Sequence, residues 1–221
     1  MYFESGDTRL YYEVTGDGQP MIMLHGNGET HHIFDEAIRD LREHFTVYAV
    51  DTRGHGQSSP VSEYHYNDMA EDIYRFITQL DIKKPLLFGF SDGGIVGLLL
   101  TIRHPGLLSQ LVASGANAEP FGVKRHWMLL FRVIYALSRS PQMKLMLTEP
   151  HITPAELRTI TTPTLLTAGS RDMISAAHSQ MIHEAIPNSE LLVIHGATHS
   201  SYIVHSNEIA VLLIDRFVKE T

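Results

Sequence analysis

Ser91, Asp172 and His199 are the residues whose types and surroundings point most directly to chemistry. Ser91 stands in Pro85-Leu86-Leu87-Phe88-Gly89-Phe90-Ser91-Asp92-Gly93-Gly94, an apolar strand broken by a Gly-x-Ser-x-Gly turn. The helix-forming Ile95-Val96-Gly97-Leu98-Leu99-Leu100 follows at once. A strand-to-helix turn this tight lifts a serine hydroxyl clear of a sheet and aims the first amides of the helix at it. A serine at such an elbow takes a strained backbone conformation and its flanks pack closely, which gives Gly89 and Gly93 a mechanical reason to lack side chains. The simpler alternative is a serine that only caps the helix, with Asp92 offsetting the macrodipole.

A hydroxyl is a poor nucleophile until a base takes its proton, and the base needs an orienting acid. Among fourteen histidines, His199 lies in Gly196-Ala197-Thr198-His199-Ser200-Ser201, between the last strand and the last helix. Loops at the carboxyl ends of parallel strands gather on one edge of a sheet, the edge from which Ser91 projects. The acid should follow a different strand, and Asp172 ends Gly169-Ser170-Arg171-Asp172, directly after Thr164 to Ala168. His195 closes its strand, His205 stands at the opening of the final helix, and Asp51 begins a turn-forming run, so each rival has a structural explanation. An acyl-transfer site also needs donors for the oxyanion. The amide of Asp92 is one, and that of Asn27, in the glycine-flanked loop after Met21 to Leu24, is the second.

The elements that must position these groups alternate along the chain. A hairpin (Tyr2 to Glu4, Leu10 to Val14) comes first. Strands follow near 21–24, 45–50, 85–90, 108–113, 164–168 and 191–194, with helices near 33–44, 67–80, 92–104, 176–185 and 207–218. Eight strands alternating with helices predict an α/β fold, a mostly parallel sheet covered on both faces. The rhythm breaks between about 118 and 158. There Trp127, Leu130, Phe131, Ile134 and Leu137 are spaced as one helix face, and Ser140-Pro141 reads as the start of a second helix. The expectation is a single domain over 1–221 with an inserted helical cap, Trp127 and Phe131 serving in the pocket wall.

Composition narrows the classes. A chain of 221 residues that is 43% hydrophobic and 19% charged can bury one substantial core. A net charge of -8 with no run of Lys or Arg argues against nucleic acid as a partner. With no cysteine there are no disulfides or thiolate metal sites. The opening residues lack a basic, apolar leader, and no stretch is long enough to span a bilayer, so a soluble cytoplasmic protein is expected.

The segments His25-Gly26-Asn27-Gly28, Asp51-Thr52-Arg53-Gly54-His55-Gly56-Gln57-Ser58, Gly89-Phe90-Ser91-Asp92-Gly93-Gly94, Gly169-Ser170-Arg171-Asp172 and Gly196-Ala197-Thr198-His199 together resemble the α/β-hydrolase superfamily over essentially the whole chain. The resemblance implies an α/β-hydrolase fold, a triad ordered nucleophile, acid, histidine, and a cap between the sixth and seventh strands. Ser91-Asp92-Gly93-Gly94 is also similar to members that cleave amino-acid esters, the valacyclovir hydrolase-like enzymes. That likeness raises the idea that the Asp92 carboxylate binds a substrate ammonium. The cap is shorter than in those relatives, which implies a shallow, open pocket. A serine at 91 argues against the haloalkane dehalogenase and epoxide hydrolase branches, which use an aspartate nucleophile.

The expected activity is hydrolysis of small-molecule carboxylic esters, with thioesters or amides open, and no cofactor or metal. A dinucleotide site is disfavoured because position 31 is His31 where a third glycine is wanted. Adjacent His31 and His32 cannot both easily grip one ion from a helix. Two alternatives remain: a small-molecule receptor on a hydrolase scaffold, and a cofactor-free perhydrolase or haloperoxidase using the same triad.

Overall fold

The computed structural model describes residues 1–218. Its strands are β1 Tyr2–Ser5, β2 Thr8–Thr15, β3 Gln19–Leu24, β4 Phe45–Val50, β5 Leu86–Phe90, β6 Gln110–Ser114, β7 Thr164–Gly169 and β8 Ser189–Ile194. They form one sheet in the order β1-β2-β4-β3-β5-β6-β7-β8. β1 pairs with β2, and β2 with β4, in antiparallel fashion; every other pairing is parallel. This is the α/β-hydrolase fold, and its eight strands are those read from the sequence.

β5 and β7 are buried at every position, as continuous apolar runs in a sheet covered on both faces should be. Successive β3 side chains serve opposite layers. Met21 and Met23 face α1 (Asp35–Leu41) and α8 (Glu208–Phe217), with Phe45, Val47 and Phe88 beside them. Ile22 and Leu24 face the layer of α2 (Tyr66–Gln79), α3 (Asp92–Arg103) and α7 (Ala176–Ala185). The period of two is that of a pleated strand.

Between β6 and β7 lie α4 (Arg125–Ser138), α5 (Pro141–Thr148) and the short α6 (Pro154–Leu157). α5 begins as its sequence predicts: the Ser140 side chain accepts from the Met143 amide at 3.4 Å, and Pro141 takes the first helical position. Such a cap stabilises a helix by about 1 kcal/mol. The apolar face expected on α4 is present but uncovered. Phe131 is 7% exposed, packed with Val123 and Ile174, whereas Leu130, Ile134 and Leu137 face solvent.

Main-chain bonds fasten this segment to the stretch after β7. Val123 pairs with Ile174 in a two-residue bridge, and the Lys124 amide donates to the Met173 carbonyl at 2.9 Å. The Ala118 amide donates to His178 Nε2, also at 2.9 Å. The inserted helices are therefore anchored beside Asp172.

Candidate active site

β3 and β5 are neighbours in the register Leu24↔Gly89, so the chain leaving each strand emerges side by side. After β5 the backbone turns sharply at Ser91, whose φ of 52° lies in a region non-glycine residues rarely adopt. A Cβ on Gly89 would come within 2.1 Å of the Gly93 carbonyl oxygen, and one on Gly93 within 2.2 Å of the Leu24 carbonyl oxygen. Both glycines are thus required by contact. Ser91 sits at the N-cap position of α3 but makes no side-chain cap bond. Its Oγ lies instead 3.1 Å from His199 Nε2.

His199 Nδ1 is 2.7 Å from Asp172 Oδ1. With its Nδ1–H donated to the carboxylate, the ring presents the Nε2 lone pair to the Ser91 hydroxyl. Asp172 is buried, and burial pushes its carboxyl up. The hydrogen bond and charge of His199, with the amides of Ile174 at 2.9 Å and Gly169 at 3.4 Å, outweigh that and hold it below the ordinary aspartate value. Gly115 makes room for the imidazole, since a Cβ there would meet His199 Cε1 at 2.7 Å. Below the site, Ser114 Oγ, Thr167 Oγ1 and the buried Tyr202 hydroxyl bond one another at 2.6, 2.7 and 3.2 Å. They tie β6 and β7 to the segment that carries His199. Burial pushes the Tyr202 hydroxyl up to about 12, so it remains a neutral donor.

The main-chain amides of Asn27 and Asp92 have no acceptor among the described residues, which leaves both free for an oxyanion. The Asn27 loop is held from several sides. The Gly93 amide donates to the His25 carbonyl at 3.1 Å, the Gly26 amide to Glu29 Oε2 at 2.9 Å, and the Gly28 amide to His55 Nε2 at 3.2 Å. Glu29 was not visible as a site residue in the sequence, yet its carboxylate holds the Gly26 amide of this loop; burial pushes its carboxyl up.

Asp92 does not reach into open space. One carboxylate oxygen accepts from Asn27 Nδ2 at 2.9 Å and the other from the buried Tyr66 hydroxyl at 2.8 Å. Burial raises its carboxyl, and the Asn27 and Tyr66 bonds counter that only in part. Both oxygens are engaged in fixing the loop that carries the Asn27 amide.

The hollow against Ser91 and His199 measures about 20 Å³ and is lined by Tyr66, Asp92, Asn117, Val123, Met146, Glu149, Met173 and Ile174. That is room for about one water. The pocket is small and partly open, with Val123, Met146 and Met173 among its walls. Trp127 and Phe131 are not brought to the wall: they pack in the cluster behind Val123 and Ile174. A wider groove of about 780 Å³ opens on the other side of Val123, between Phe121, Leu147 and one side of α4.

A model of the alpha/beta hydrolase fold family matches residues 19–134, just over half of the chain. The chain belongs to the alpha/beta hydrolase fold family. It is 36% identical over 115 residues to the AB hydrolase superfamily protein YisY of Bacillus subtilis, a stretch covering 51% of this chain and 43% of that protein. It is 35% identical over 119 residues to the human serine hydrolase BPHL, covering 50% and 40%. The matched stretches thus span less than half the length of these relatives. Among solved structures, the esterase EaEST from Exiguobacterium antarcticum superposes with a TM-score of 0.84 at 24% identity, over 97% of each chain.

Proposed function

We propose that the chain is a serine hydrolase of small-molecule carboxylic esters. The observation that carries this reading is the continuous relay from Asp172 through His199 to Ser91, 2.7 and 3.1 Å across its two links. His199 takes the hydroxyl proton as Ser91 Oγ attacks the ester carbonyl carbon, Asp172 holds the imidazole in the productive tautomer, and the amides of Asn27 and Asp92 receive the oxyanion. Collapse of the tetrahedral species breaks the bond to the alkoxide, which leaves as the alcohol with the proton from His199. Water, deprotonated by the same imidazole, then attacks the acyl carbon and frees the acid and the serine.

The segment 118–158 serves as a cap, and Val123 and Met146 from it line the hollow beside Ser91 that would receive the acyl group. BPHL is named a serine hydrolase, which agrees with this chemistry. Hydrolysis of short p-nitrophenyl esters tests the reading. The wild type turns over repeatedly and Ser91→Ala loses on the order of 10³-fold or more in kcat with an unchanged melting temperature; fluorophosphonate labels the former only. A single turnover followed by arrest, or full activity in Ser91→Ala, overturns it.

A further inference from the structure

The helix α4 carries more exposed apolar surface than its fold explains. Leu137 is 83% exposed, Leu129 64%, and Leu130, Val133 and Ile134 stand open beside them. At 100° per residue these five occupy one continuous arc, with buried Phe131 just beyond its Ile134 edge. Phe121, on the turn before the helix, is 74% exposed. None of the five carries a polar group.

Charge on the same segment departs from that of the chain. The net charge is -8, yet from Pro120 to Thr148 there is no Asp or Glu and there are Lys124, Arg125, Arg132, Arg139 and Lys144. Arg125 and Arg132 are seven residues apart, nearly two full turns, and so stand in a row along one border of the apolar arc, with Arg139 just past the end of the helix. All three are exposed. The ion pairs here use Lys144 with Glu63 and His151 with Glu119, and leave these arginines without a carboxylate among the described residues. A second copy of the chain would bring two such rows together with no acid from the segment between them.

We propose that α4 lies flat on an anionic lipid surface, its leucine, valine and isoleucine side chains at the boundary of headgroups and acyl chains and its arginine row on lipid phosphates. An apolar arc bordered by arginines is the pattern of an interfacial helix. At fourteen residues it lies on the surface: no helix among the described residues is long and apolar enough to cross a membrane. The assignment is independent of the reaction at Ser91.

Sedimentation of the full chain with phosphatidylcholine vesicles, with and without phosphatidylglycerol, tests this. Binding is expected only with phosphatidylglycerol, and released by high salt. Arg125→Gln with Arg132→Gln and Arg139→Gln weakens it on the order of 100-fold, at about fivefold per arginine. Val133→Ser with Leu137→Ser weakens it at least tenfold while melting temperature and hydrolysis of a soluble ester stay at wild-type values. No binding to either vesicle, or binding indifferent to the arginines, overturns the proposal. So does a wild-type dimer that Leu137→Ser dissociates, which gives the face to a second copy. Polyglutamate bound as tightly as anionic vesicles overturns it in favour of an acidic protein.

Discussion

The rim that carries Ser91, Asp172 and His199 and the helix α4 lie only a few side chains apart, yet they are built to opposite rules. At the rim most polar side chains have a partner and three glycines have a contact that demands them: Gly89 against Gly93, Gly93 against Leu24, Gly115 against His199. On α4 one side chain, Phe131, is buried and a whole arc of leucine, valine and isoleucine stands exposed. A site that moves protons needs its groups over-determined, whereas a face left open is determined by what it meets. The first kind of region can be broken by a single atom, and the second tolerates change until a partner is present.

The largest expected effect lies at the rim. Asp172→Asn keeps the shape of the side chain but can donate where the carboxylate accepted, so the imidazole is turned toward the wrong tautomer. The loss in kcat is expected on the order of 10⁴-fold, read with a short ester beside a melting curve. A loss under tenfold would mean that His199 is oriented by its packing alone.

The comparison sharpens within α4 itself. Phe131→Ala empties a packed position against Val123 and Ile174 and is expected to cost about 3 kcal/mol of unfolding free energy. Leu137→Ala, six residues on and 83% exposed, is expected to change it by less than about 0.5 kcal/mol. Urea titration separates the two. Equal costs would mean that the arc is covered in solution.

This contrast also explains what the sequence could and could not say. The rim was legible because its constraints are steric and local: a glycine two residues either side of Ser91, strands whose carboxyl ends must share an edge. Eight strands and the place of the insertion followed from alternation alone. Trp127 and Phe131 were misplaced because periodicity identifies a helix face without saying what it meets. Tyr66 as the partner of Asp92, 26 positions away, is created by the packing of α2 on α3, and no local pattern encodes it. The arginine row escaped notice because residues seven apart form no run in the sequence and align only on a helix.

A smaller effect is expected beneath the rim. Tyr202→Phe removes the hydroxyl that Ser114 and Thr167 share, but those two still bond each other at 2.7 Å. The cost is expected at about 1 kcal/mol, with kcat down by less than tenfold because the His199 segment loses one tie among several. Thr167→Val in the same background then breaks that last bond and strands the buried Ser114 hydroxyl, so it is expected to cost a further ~1 kcal/mol or more; a second substitution that costs nothing would show that Ser114 finds another partner.

An effect that depends on pH tests a buried pair just after the Asn27 loop, where the His31 amide also donates to Asp51 Oδ1 at 2.8 Å. His31 Nδ1 lies 2.7 Å from Asp51 Oδ1, and Glu13 stands 3.5 Å from Nε2. Burial alone pushes His31 down, but the hydrogen bond and charge of Asp51, reinforced by Glu13, raise it above the ordinary histidine value. Burial likewise pushes Asp51 up, and His31 with the Gln57 amide more than reverses it. A raised histidine contributes stability fully below its unfolded value of about 6.5 and loses it as pH rises through the folded one. The lowered aspartate contributes above its unfolded value of about 3.9 and fades as pH falls through its folded one. The pair therefore stabilises most between those limits. His31→Gln is expected to cost about 1 to 2 kcal/mol near pH 5.5 and visibly less near pH 9, measured by urea unfolding of both proteins. A gap that stays constant across that range would show a neutral hydrogen bond, with the loop held by shape instead of charge.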